Sequence, residues 1–115
     1  MDFVLNKNEN IIFIANGNPN PSPYNGLTLV NVKERNKPTL IKHIETALAE
    51  GVVLNKNETI AFLSDAKNGL VVINITTVDN LKIIKTVEMN SEIHTGGIAV
   101  STDDNTVFIG VDKTL

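Results

Sequence analysis

Apolar residues in this chain fall into short runs separated by polar turns, and the runs recur. Residues 4–9 read VLNKNE, and the same six letters stand at 53–58, 49 residues later. Aligning on them also matches Ile11 with Ile60 and Phe13 with Phe62. Further on, Gly26-Leu27 opens a run ending Val30-Asn31-Val32, and Gly69-Leu70 opens one ending Ile73-Asn74-Ile75, at an offset of 43. A third copy starts at Gly97. There Gly97-Ile98-Ala99-Val100 matches Gly51-Val52-Val53-Leu54 and Phe108-Ile109 matches Phe62-Leu63, both 46 residues apart. A period of this size is the signature of stacked repeat architectures. The units are 1–49, 50–95 and the start of a third at 96–115.

In the second unit the runs at 51–54, 59–64, 70–75 and 81–87 predict four short strands. Asn55-Lys56-Asn57-Glu58 is a tight polar link, and Asp65-Ala66-Lys67-Asn68-Gly69 ends in Asn-Gly, where glycine adopts positive φ cheaply. Residues 76–80 supply the third link. Strands joined by links this short pair antiparallel, because a parallel pairing needs a long crossover. Each period therefore predicts a four-stranded meander.

Alternation along 70–75 puts Leu70 and Val72 on one face and Val71, Ile73 and Ile75 on the other. Both faces are apolar, as they are around Leu27 and Leu29 in the first unit. A sheet with one wet face alternates more cleanly. Doubly apolar small meanders want a sheet on each side, which the radial stacking of propeller blades provides. The expected fold is all-β: four-stranded antiparallel blades of an incomplete β-propeller. The segment 81–87, with Lys82, Lys85 and Thr86, suits the exposed outer strand. The segment 43–50, HIETALAE, carries helix formers at helical spacing; aligned on the repeat, it predicts a strand end followed by a loop or one helical turn.

The change of offset between the first two units comes from one insertion. ANGNPNPSPYN at 15–25 replaces the shorter SDAKN of the second unit, and three of the chain's four prolines lie in it. Such a segment is a surface loop. It is the strongest recognition candidate, with Asn20, Tyr24 and Asn25 as contact residues, because prolines stiffen it and Tyr24 offers amphipathic area at low entropic cost.

The order of elements, with a Phe-containing strand, then Asn-Gly-Leu and an apolar strand with a polar residue near its end, resembles the LVIVD repeat and the related YVTN-type propeller repeats. The stretches that carry the resemblance are TIAFLSDAKNGLVVINITTVDNLKII and IIFIANGNPNPSPYNGLTLVNVKERNKPTLI. Where that family places an aspartate near the end of the third strand this chain has Asn31 and Asn74, and of its connecting prolines only Pro38 is kept, with Leu81 in the second copy. The resemblance implies a scaffold and interaction role rather than a conserved reaction. It also implies a parent family common in extracellular or envelope proteins.

Composition narrows the remaining classes. With 42% hydrophobic residues, four Phe, one Tyr and no Trp, the core is built mainly from Ile, Val and Leu, which favours strands. A net charge of −3 with scattered Lys and Arg lacks the basic footprint of a nucleic-acid binder. No apolar run approaches the roughly 20 residues that span a bilayer. The N-terminal MDFVLNKNEN shows no basic segment followed by an apolar run, so no secretory signal is expected there, and the compartment stays open. Without cysteine there is no disulfide or thiolate site.

No constellation of catalytic residues, cofactor site or metal site is expected. His43 and His94 lack HExxH spacing; Glu92 shares a strand face with His94, and His43 is expected to face solvent. Asp103 and Asp104 fall at the same hairpin as Asn57-Glu58 and Asn8-Glu9, which predicts turn work through side-chain oxygens rather than a calcium loop. Asp65 and Asp112 align with Asn16 at strand ends, where turn capping is expected. Gly96-Gly97 lacks the Gly-Lys-Ser/Thr signature of a phosphate loop. The acceptor triplets at Asn57 and Asn74 arise readily in an Asn-rich chain. The expected partners are further blades, from a parent chain or by self-association, and a protein, peptide or glycan. The competing expectation is an enzyme whose site is completed around a propeller channel by other blades.

Overall fold

Ten strands and one turn of 3-10 helix make up the regular structure of the computed structural model, which describes residues 1–18, 20, 22–89 and 93–113. Strands β1 (Asp2–Leu5), β2 (Ile11–Asn16), β3 (Gly26–Asn31) and β4 (Thr39–Glu45) form the first sheet in sequential order. Strands β5 (Gly51–Leu54), β6 (Ile60–Ser64), β7 (Leu70–Asn74) and β8 (Lys82–Val87) form the second in the same way. Strands β9 (Ile93–Val100) and β10 (Val107–Lys113) pair as a third, two-stranded sheet. Every pairing is antiparallel. The fold is all-β.

The two complete sheets agree in detail. Their third and fourth strands slip register at equivalent places, between Leu29 and Val30 and between Val72 and Ile73. Gly26 opens β3 and Gly69 immediately precedes β7, with φ of 134° and 78°. A Cβ at either would sit about 2.1 or 2.2 Å from a carbonyl oxygen of the adjacent fourth strand, that of Ile44 or Val87, so only glycine lets the strands close. The helical spacing in HIETALAE does not become a helix. Strand β4 runs to Glu45, and 46–50 is a connector whose Ala49 is fully buried. The apolar spacing there serves burial between sheets. A helical turn forms instead at Ala66–Asn68.

The sheets stack through their inner strands, with β1 and β2 against β5, and β5 and β6 against β9. Phe13, Ala15, Leu27 and Leu29 on one face of the first sheet join Val52, Ala61, Leu63, Val71 and Ile73 of the second in one buried cluster. Each large side chain buried there contributes roughly 1.5–3 kcal/mol relative to exposure. Phe62, Leu70 and Val72, on the other face of the second sheet, are half-buried. Strand β8 is exposed at every residue, as its lysines predict. The Cα radius of gyration, 13.7 Å, matches the roughly 13 Å of a compact chain this long, so the sheets are packed and not splayed.

One position shows how far the stack goes. Phe13, Phe62 and Phe108 are equivalent by the sequence offsets, yet Phe13 is 2% exposed, Phe62 half-buried and Phe108 60% exposed. The opposite faces run the other way: Val52 is 2% exposed and its counterpart Phe3 is 67% exposed.

Candidate interaction site

The inserted loop at 16–25 is pinned at several points. Asn16 Nδ2 donates to the Tyr24 carbonyl at 2.9 Å. The Asn18 N–H donates to Asn25 Oδ1 at 2.9 Å, and Asn25 Nδ2 returns to the Asn18 and Ala47 carbonyls at 3.1 and 2.9 Å. His43 does not face solvent freely. Its Nε2 donates to the Pro23 carbonyl at 2.9 Å, and its Nδ1 is hydrogen-bonded to the Thr28 hydroxyl at 2.7 Å. Gly17 passes so close to the Ala49 carbonyl that a Cβ there would lie 2.5 Å from it.

This fastening divides the three candidate residues. Asn25 is 1% exposed and its amide is consumed internally, so it holds the loop and presents nothing outward. Tyr24 is 74% exposed, and Asn20 is exposed as well, with its backbone N–H held by Asn18 Oδ1. Pro19 and Pro21 lie outside the described residues, as does Glu92, and with it the Glu92–His94 pairing.

Asp65 is fully buried and serves as more than a turn cap. Its Oδ1 accepts from the Thr46 hydroxyl at 2.7 Å and the Leu48 N–H at 2.9 Å, while Oδ2 accepts from the Ala47 N–H at 3.2 Å and Asn68 Nδ2 at 2.8 Å. The carboxylate thus ties the connector between the first two sheets to the top of β6. Desolvating it is tolerable because its oxygens are met by aimed donors. Ser64 and Thr95 hydroxyls make a smaller tie to the third sheet, donating to the Gly96 and Ala66 carbonyls.

A row of turns forms the opposite end of the stack. Asn6 and Asn55 close their own turns, their Oδ1 atoms accepting from Asn10 and Ile11, and from Thr59 and Ile60, at 2.8–3.0 Å. Ser101 takes the same place in the third turn, where Asp103 accepts from the Ser101 hydroxyl and the Asn105 N–H. These bonds, the Ser101 hydroxyl first, hold the Asp103 carboxyl below its ordinary value of 3.8. The last acid of each turn, Glu9, Glu58 and Asp104, has φ of 57°, 57° and 62°. That left-handed backbone aims two of these acids at the preceding turn. Glu58 Oε2 accepts from the Lys7 N–H at 2.8 Å, and both Asp104 oxygens accept from the Lys56 N–H at 3.2 Å. Lys7 Nζ also donates to the Lys56 carbonyl.

Comparison of the sequence with protein-family models gives no match, and comparison with curated proteins gives none either. The geometry of the chain therefore carries the functional argument. Among the described residues the surface carries open grooves, such as one of about 420 Å³ along β1, β5 and β9. Among the described residues, no three His, Cys, Asp or Glu side chains are grouped to hold a metal ion, and no buried side-chain nitrogen or oxygen lacks a partner.

The sequence pointed to the loop but not to how it is held. Asp65, His43 and the Glu58 and Asp104 contacts join residues 15 to 51 positions apart, beyond any local pattern. One signal for the turn row was present: an acid two places after a Lys in the first two turns, repeated at the period of the sheets.

Proposed function

We propose that this chain is a segment of a β-propeller-like stack that acts as a non-catalytic scaffold and interaction module, with the pinned loop at 16–25 binding a protein or peptide through Tyr24. The single observation behind this is that the loop is fastened internally at several described residues while its large aromatic, Tyr24, is left 74% exposed. A preorganised loop loses little entropy on binding, and an exposed tyrosine supplies contact area at low conformational cost. Side-by-side first strands β1, β5 and β9, with sheets stacked face on face, support the propeller element of the reading.

A photo-crosslinking amino acid at position 24, with Tyr24→Ala as competitor control, tests the reading. The expected result is a discrete protein adduct at position 24 and loss of partner affinity in Tyr24→Ala with unchanged circular dichroism. Undiminished affinity in a folded Tyr24→Ala chain would refute the role of the loop, and enrichment of glycan alone would replace the partner class.

A further inference from the structure

The first and third sheets each carry one exposed apolar face, and each of these has a counterpart that is covered within the chain. On the first sheet, the face carrying Phe3 and Leu5 is the counterpart of the one that the second sheet presents to the first through Val52. On the third sheet, Phe108 is the counterpart of Phe13, which the second sheet covers. The turn row is open at matching ends. Each junction places an acid of the following turn on the backbone N–H at the second position of the preceding one: Glu58 on Lys7 and Asp104 on Lys56. By sequence alignment, Glu9 is the acceptor of the first turn and Thr102 the donor position of the third.

We propose that two copies of this chain associate head to tail, the Phe3 face of one seating on the Phe108 face of the other, with the Glu9 carboxylate accepting from the Thr102 N–H. The proposal rests on the stacked-sheet reading above. The occupant is a second copy because its first sheet repeats the strand order and register slip of the second sheet, with Glu9 at the φ of Glu58. The third sheet offers it two strands. Within the chain, the main junctions run through inner strands, β1 and β2 on β5 and β5 and β6 on β9, and the third sheet has both of its inner strands, β9 and β10. The interface is heterologous, with different residues on its two sides.

Sedimentation velocity of the 115-residue chain across a concentration series tests this, with circular dichroism to confirm folding. The wild-type chain is expected to associate reversibly. Phe108→Asp and Phe3→Asp, both at exposed positions, should each weaken association about tenfold or more. Glu9→Lys should weaken it less. A one-to-one mixture of Phe108→Asp and Phe3→Asp should restore a dimer and nothing larger, since one intact face remains on each. A wild-type chain that stays monomeric at every concentration overturns the proposal, as does association untouched by either variant or not restored on mixing. Amide exchange on the same samples separates the two readings. Protected β5 and β6 amides in a monomer sink the self-association alone, whereas unprotected ones sink the stacked-sheet reading.

Discussion

The first and second sheets share strand order, register slip and a positive-φ glycine at the start of the third strand, yet they are stabilised differently. The second is covered on one face by the first sheet and on the other by β9, so Leu63 and Ile73 are fully buried. Their counterparts Ile14 and Val30 are half-buried. Connections differ too. The first sheet holds a long loop with an amide and an imidazole, whereas the second uses a buried carboxylate to fasten the connector that leads into it. Position within a repeat sets residue type, and position within the stack sets what that residue is worth.

The largest expected effect tests this directly. Leu63→Ala should cost about 2–5 kcal/mol in urea unfolding, because it opens a cavity in a fully covered layer. Ile14→Ala at the matching place should cost about 1–2 kcal/mol, since half of that side chain's burial is missing. Equal losses would erase the distinction between the sheets.

Next in size is the carboxylate. Asp65→Ala strands the Thr46 hydroxyl and the Leu48 N–H beside a fully buried site and should cost about 2–3 kcal/mol. Asn16→Ala, its counterpart in the first sheet, removes one exposed hydrogen bond and should cost under about 1 kcal/mol. If the two variants unfold at the same denaturant midpoint, Asp65 is not the fastening described.

The smallest effect separates the third turn from the first two, which have Asn8 and Asn57 where it has Asp103. A carboxyl titration followed by NMR should place the Asp103 midpoint below 3.8, and Ser101→Ala should move it back up. Because the folded value is the lowered one, the small stabilisation is complete above the unfolded value and is lost as pH falls through the folded one. Asp103→Asn should remove that acid-range slope and change little at neutral pH.

Much of the fold was legible because it is local. The VLNKNE turn, the Asn-Gly links and doubly apolar strands mark the elements, and of the eight strand limits in the second sheet five match expectation and three differ by one residue. At 43–50 the repeat alignment outweighed the helical spacing: the strand ends at Glu45 and a loop follows, in which Leu48 and Ala49 answer to the neighbouring sheet. The exposed Tyr24 was legible from the insertion. Asn25 was not, since nothing nearby announces that its amide is spent on Ala47, 22 residues on. Nor could the alignment of Asp65 with Asn16 reveal that one is fully buried and the other only half-buried.

The Asp65 fastening has a mechanical side. When the chain is pulled from its ends, tension reaches the second sheet through the connector at 46–50. The bonds from Thr46, Ala47 and Leu48 converge there on one carboxylate and share the load. The first sheet can unravel behind that clamp before the clamp itself gives way, so extension should proceed in steps, with a rupture at the clamp before the second sheet yields.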